Sequence, residues 1–160
     1  MLATQGFNIK TTKHAHVELT MWDIGGQKAI RPFWKDYFEQ ADALVYVIDS
    51  ADRNRLEESV NELQCLLKDD KMAGVPLLVF ANKQVRGVGD VGVARALSCF
   101  SSETGLFVQD LTLAASPADI SDTLMLHKLR DRQWQIQPCS AKSGEGLSEG
   151  VDWCVGWYKS

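Results

Sequence analysis

The chain has 160 residues, of which 17 are basic and 21 acidic, for a net charge of −4. That length allows one domain with a sizeable core, and the acidic balance argues against a nucleic-acid surface. Cys65, Cys99, Cys139 and Cys154 show neither C-x-x-C nor zinc spacing, which fits a reducing cytosol, and no apolar run approaches the ~18 residues of a membrane span.

In chain order, residues 1–4 are too short to be an element. Residues 5–10 carry Phe7 and Ile9 at strand period, and residues 16–21 alternate in the same way. Lys13-His14-Ala15 makes a polar turn between them, so the two runs are expected to pair as a hairpin. His14 and His16 flank that turn and read as a solvated pair, since no third metal ligand lies near. Position 2 is Leu2 and not glycine, so the chain opens with no myristoylation motif, and it opens with no signal peptide.

The second run leads into Met21-Trp22-Asp23-Ile24-Gly25-Gly26-Gln27. The chemistry of the chain centres on this stretch. It offers an acid that can serve a metal shell, a glycine whose N–H a ligand can approach closely, and a glutamine that both donates and accepts hydrogen bonds. Together these form the working half of a nucleoside-triphosphate site. The same pattern also suits a plain glycine turn between a strand and a polar helix.

Residues 28–40 are polar and aromatic, with Pro32, Phe33, Trp34, Tyr37 and Phe38, and predict a short helix with one packed face. Residues 43–48 form a continuous apolar run of strand length, which predicts a parallel strand buried on both faces. Ser50 is expected to cap a helix whose apolar positions are Leu56, Val60, Leu63 and Leu67. Residues 76–81 predict a second buried strand, so strand, helix and strand make a βαβ unit. Asn82-Lys83-Gln84 stands at that strand's C-terminal end, where open α/β sheets bind ligands.

Residues 85–109 hold four glycines and little periodicity. Ser116-Pro117-Ala118-Asp119 has the signature of a helix start. Residues 134–139 read as a last strand, 140–144 as a loop, and Leu147, Val151, Cys154 and Tyr158 as the stripe of a closing helix weakened by Gly150 and Gly156.

These motifs, in this order, resemble an ADP-ribosylation-factor-like small GTPase of the Arf family. The likeness covers nearly everything outside residues 85–109. Thr4-Gln5-Gly6-Phe7-Asn8 resembles switch I, and Trp22 through Gln27 with Ile30-Arg31-Pro32 resembles switch II. Asn82-Lys83-Gln84 resumed at Asp110 resembles the guanine-reading N-K-x-D, and Cys139-Ser140-Ala141 resembles the last guanine loop. The resemblance implies an α/β fold of the P-loop-NTPase type, with a mostly parallel sheet and helices on both faces. It implies GTP/GDP and Mg²⁺ as ligands and GTP hydrolysis as the activity.

The resemblance also assigns roles. Thr4 would ligate the metal, and Asp23 would hold it through water. Gly26 would give its N–H to the γ-phosphate, and Gln27 would orient the attacking water. Asn82, Lys83, Asp110, Ser140 and Ala141 would form the guanine site, with Ala141 offering its N–H to guanine O6. Phe7, Trp22 and Tyr37 match an aromatic triad that faces effectors, although the same rings also suit plain packing of hairpin on helix. Implied partners are effectors, an exchange factor and a GTPase-activating protein, with no nucleic acid and no membrane anchor in this chain. The implied location is cytoplasmic, with cytoskeletal or ciliary association.

The sequence departs from the family in two places. None of the ten lysines follows a glycine, so no G-x-x-x-x-G-K-[ST] phosphate cradle exists in these residues. The family's first strand, P-loop and first helix are thus expected to be absent. That would leave the hairpin unlinked to the strands at Leu44 and Leu77, with long apolar edges that invite aggregation. Second, residues 85–109 split the guanine motif. Without these 25 residues, Asn82-Lys83-Gln84-Asp110-Leu111 reads straight through. The segment is in frame, its borders are compatible with those of an intron, and it is expected to be an inserted surface loop in a single domain spanning 1–160. It also contains Gly87-Val88-Gly89-Asp90-Val91-Gly92, a G-x-G-x-x-G match that offers a competing NAD-type dinucleotide reading. The first alternative to the GTPase reading is a nucleotide-free interaction module that keeps the aromatic face, and the NAD-type reading ranks third, behind it.

Overall fold

A computed structural model describes residues 6–84 and 114–158. The hairpin forms as expected and is longer than the sequence suggested. Strand β1 (Phe7–His14) pairs antiparallel with β2 (Val17–Ile24), in a register that sets Phe7 opposite Ile24 and Ile9 opposite Trp22. Ala15 makes the turn with φ +52. A 3-10 helix, Arg31–Gln40, follows with Pro32 near its start, where a missing N–H costs nothing, and with Phe38 buried.

The next three strands are parallel. Strand β3 (Leu44–Asp49) pairs with β4 (Leu77–Asn82), which pairs with β5 (Trp134–Pro138). Helix α1 (Leu56–Leu67) connects β3 to β4, the expected βαβ unit. Two further helices complete the described fold, α2 (Pro117–Thr123) and α3 (Leu147–Tyr158).

The sheet has helices on both faces. Val60 and Leu63 of α1 and Ile120 and Leu124 of α2 pack with Ile48, Leu77, Val79 and Ala81. On the other face Leu78 and Phe80 pack with Cys139 and with Leu147, Trp153 and Cys154. Alternate residues of β4 therefore serve two cores, which is why its run is apolar without interruption.

Strand β3 corrects one expectation. Its sequence looks as buried as that of β4, yet Val45 is 48% exposed and Val47 62%. They share a face with their register partners Leu78 and Phe80, which lie under α3, but they lie beyond its cover. The described strands form two separate sheets, β1-β2 and β3-β4-β5, so neither β2 nor β3 has a strand partner on its outer side.

Ser50 gives a second correction. It is buried and caps nothing: its N–H donates to Asn82 O and its carbonyl accepts from Ala115 N. The capping falls to Asp52, whose carboxylate accepts from Arg55 N ahead of α1. The other helix start is as expected, a capping box in which Ser116 and Asp119 satisfy each other's backbone N–H groups.

Gly150, read from the sequence as a weakness of α3, marks its closest approach to the sheet. A Cβ there would lie 2.5 Å from Phe80 Cε1 and 3.2 Å from Leu78 Cδ2. Gly150→Ala gains about 1 kcal/mol of helix propensity but forces apart a packed interface, which costs about 1–3 kcal/mol. A net loss of stability is expected in urea unfolding, whereas an exposed helical site would show a gain.

Candidate functional site

The C-terminal ends of β3, β4 and β5 converge on Asn82. Its side-chain Oδ1 accepts from Lys83 N at 2.8 Å and from Ala141 N at 2.9 Å. The Cys139 thiol lies 3.9 Å away, and burial pushes its pKa up. Asn82 thus joins two loops that are 59 residues apart in sequence. Lys83 takes a left-handed backbone, φ +66, and its Nζ reaches Asp49 Oδ2 at 2.5 Å. The pair is half-exposed, so it orients the lysine more than it stabilises the fold. Asp49 was not singled out from the sequence; an acid ending an apolar strand run was its only signal.

The loop carrying Ser140 and Ala141 is built on itself. Ser140 N donates to Glu145 O, Gly144 N to Ser140 O, and Ser143 N to Ser140 Oγ. Gly146 closes it against β5 with φ +77. The Ala141 N–H expected to face guanine O6 is engaged by Asn82 in this structure.

The second cluster lies at the end of β2. Gly25 is buried, while Gly26 and Gln27 are exposed, and a Cβ at Gly26 would meet nothing within 4 Å. Gly25 donates its N–H to Gly6 O at 2.9 Å. Trp34 Nε1 donates to Gly25 O at 3.0 Å, and Arg31 Nε to Gly26 O at 3.0 Å. Asp23 stands just before, on β2. Thr4 and Asp110, and the G-x-G-x-x-G match at 87–92, lie outside the described residues, as does the whole of 85–109.

The aromatic triad is assembled. Tyr37 stacks against Trp22 at 5.0 Å between ring centroids and against Phe7 at 5.8 Å, both tilted as aromatic quadrupoles favour. Phe7 is 56% exposed and Trp22 37%. The rings pack on one another and face solvent at once. His14 differs from the solvated pair expected: its Nε2 lies 2.6 Å from Asp152 Oδ1 on α3 and ties the hairpin's far end to the parallel sheet's layer.

Gln84 brings the described flanks of 85–113 together. Its N–H donates to Cys139 O, and its Nε2 to Ala115 O at 2.7 Å. Among the described residues, no group of three or more His, Cys, Asp or Glu could hold a metal ion by itself, and no helix is long and apolar enough to cross a membrane.

The family described as "Arf: ADP-ribosylation factor family" matches residues 1–90 and 106–157. The chain is 51% identical over 152 residues to ADP-ribosylation factor-like protein 3 of Chlamydomonas reinhardtii, an alignment covering 95% of this chain and 72% of that protein. Its fold matches the Arl6 (BBS3) small GTPase of Trypanosoma brucei, solved with the bound nucleotide analogue GppNp. The TM-score is 0.75 at 28% identity, with 98% of this chain and 81% of the other covered.

Proposed function

The chain belongs to the ADP-ribosylation factor family, and on that premise we propose that it is a GTP/GDP switch protein of the Arl type. Its business is to bind effector proteins in intracellular trafficking, through Phe7, Trp22 and Tyr37. The observation that carries this reading is the assembled, solvent-facing aromatic cluster. Exposed aromatic rings backed by packed neighbours are the usual anchors of a protein interface.

The two halves of a nucleotide site fit unequally. At the base end Asn82, Lys83 and Ala141 are gathered at the C-terminal strand ends, and Asp110 would complete guanine reading. At the phosphate end Gly26 is exposed, with nothing within 4 Å of where a Cβ would stand, and would give its N–H to the γ-phosphate; Gln27 would orient a water, and Thr4 and Asp23 would hold Mg²⁺. When bound, nucleotide and metal supply the charge around which that end is built. The cradle of backbone amides and a lysine is missing from these 160 residues, so this polypeptide is impaired in holding phosphates. Residues 85–109, which lie outside the described residues, are read as an insertion in the family sequence. The break in the family match between 90 and 106 and the bond joining Gln84 to Ala115 support that reading.

One experiment tests both parts. A fluorescent guanine nucleotide titrated with Mg²⁺ into the purified chain should show no saturable binding in the submicromolar range. Immobilised chain should capture effectors of Arl proteins, with GTP required if the chain acts as the switch and not required if it is the nucleotide-free module, and Trp22→Ala should abolish the capture. Submicromolar nucleotide binding would remove the claim of impairment. Failure to capture any effector under either condition would remove the role of the aromatic face.

A further inference from the structure

Nothing in the aromatic triad alone explains why three rings from different segments meet. The backbone between them supplies the answer. Gly25 and Gly26 each have their carbonyl taken by a side chain, Trp34 for the first and Arg31 for the second. The Gly25 N–H holds Gly6 O at 2.9 Å, directly before Phe7. Trp34 is itself anchored by packing against the core of Phe38, Leu66 and Met72.

Arg31 is anchored by charge. Its Nη1 meets Glu62 Oε1 at 2.5 Å and its Nη2 meets Glu58 Oε1 at 2.9 Å, both on α1. The side chain is only 20% exposed and the two glutamates about a third. Burial works against the Arg31 charge, but the hydrogen bonds and charges of Glu58 and Glu62 outweigh it and raise its pKa further. The fork of a guanidinium is what allows one side chain to hold two carboxylates and a carbonyl together. Lysine, a point charge on a flexible stem, cannot span all three.

We propose that Arg31 is a positioning residue for the aromatic face: through Glu58 and Glu62 it fastens Gly26 to α1, and so fixes Phe7, Trp22 and Tyr37 in their mutual geometry. This rests on the reading that the face binds partners, but the chain of contacts lies within one polypeptide and can be tested in the free protein. It runs from α1 to Arg31, to Gly26 and its neighbour Gly25, to Gly6, and so to Phe7 at the start of β1. Trp34 closes it from the core side.

The test uses the full chain labelled with 5-fluorotryptophan and followed by ¹⁹F NMR. Trp22→Phe assigns the Trp22 signal, Tyr37→Ala defines its position when the ring contact is lost, and Trp134, packed against the core between the sheet and helices α1 and α2, reports on the fold. Arg31→Gln should move the Trp22 signal most of the way to its Tyr37→Ala position and leave Trp134 unmoved. Arg31→Lys should give an intermediate shift. Glu62→Gln, which leaves the bonds to Gly26 and Glu58, should give a smaller shift in the same direction. The affinity for any captured effector should fall tenfold or more in Arg31→Gln.

A Trp22 signal that stays at its wild-type position overturns the proposal. So does one that moves only together with Trp134, since Arg31 would then merely support the fold. Should Arg31→Gln fail to fold, Glu62→Gln decides alone by the same two criteria. Because the spectra are of the free chain, they stand or fall independently of whether an effector is found.

Discussion

Arg132→Met should lower the melting temperature by roughly 6–20 °C, the equivalent of about 3–5 kcal/mol in a chain of this size. Arg132 is a charged residue in a place where sequence composition would never put one: its side chain is 1% exposed. Its Nη1 donates to Met72 O at 2.8 Å and Val75 O at 3.4 Å, and its Nη2 to Leu67 O at 3.2 Å. One guanidinium thus closes the C-terminal end of α1 and the turn that leads from it into β4.

Methionine keeps the volume and removes every donor; Met72 O keeps its bond from Val75 N, but the Leu67 and Val75 carbonyls lose the guanidinium, at about 1–3 kcal/mol each before relaxation. The neighbouring Asp131 matters less. It is 55% exposed, and the Arg132 hydrogen bond holds its carboxyl below the usual carboxylate range. A depressed carboxylate contributes stability above its unfolded pKa and loses it as pH falls through the folded one. The Asp131 share should therefore vanish on acidification, while the carbonyl contacts persist. The loss in Arg132→Met, followed by calorimetry, should remain large as pH falls below the ordinary Asp pKa of about 3.9. A drop of only a degree or two at neutral pH would show that water replaces the guanidinium without cost.

Gly146→Ala should destabilise the chain by about 2–5 kcal/mol and free Ala141 from Asn82. Two independent obstacles coincide there. The backbone is left-handed, φ +77, and a Cβ would stand 2.1 Å from Pro138 O and 3.1 Å from Cys139 Cα. Neither neighbour is a side chain that can swing away, so β5's end or the 140–144 loop must shift. Gly144→Ala is the control. Its φ is +83, but nothing lies within 4 Å of its Cβ, so it carries only the backbone cost of about 1 kcal/mol. The difference between the two in urea unfolding measures the contact. The Ala141 amide, followed by hydrogen exchange, should lose protection in Gly146→Ala and keep it in Gly144→Ala. Equal effects of the two would show that only the backbone conformation matters.

Much of the fold was legible because apolar period and length carry it. The run at Leu77–Phe80 and the stripe from Leu56 to Leu67 both formed where expected. The run at Val45 and Val47 looked the same, yet among the described strands it lies on an edge. A strand's own residues say that it can be buried, but only its neighbours in the sheet decide whether it is. Polar assignments failed where partners are distant. Asp152 lies 138 residues from His14 and Arg132 lies 60 from Met72, so no local pattern announces either pair. Ser50 and Asp52 are both good caps two positions apart, and only backbone geometry chose between them. The site was legible at Asn82, Lys83 and Ala141 through motif order. The Asp49 and Arg31 contacts that hold it were not, because each depends on a side chain from another element.

The bond between Gln84 and Ala115 bears on what happens if the backbone is severed anywhere between them. The part before the cut contributes β3, α1 and β4, and the part after it contributes α2, β5 and α3. These do not separate into two bodies: β5 adds to the edge of β4, and α3 covers Leu78 and Phe80. Ala115 also ties back to Ser50. A nicked molecule would therefore be held by a parallel strand seam and a shared core and would stay in one piece. Two separately made polypeptides meeting at this seam are a natural design for a split reporter, in which reassembly restores the joint between Asn82 and Ala141.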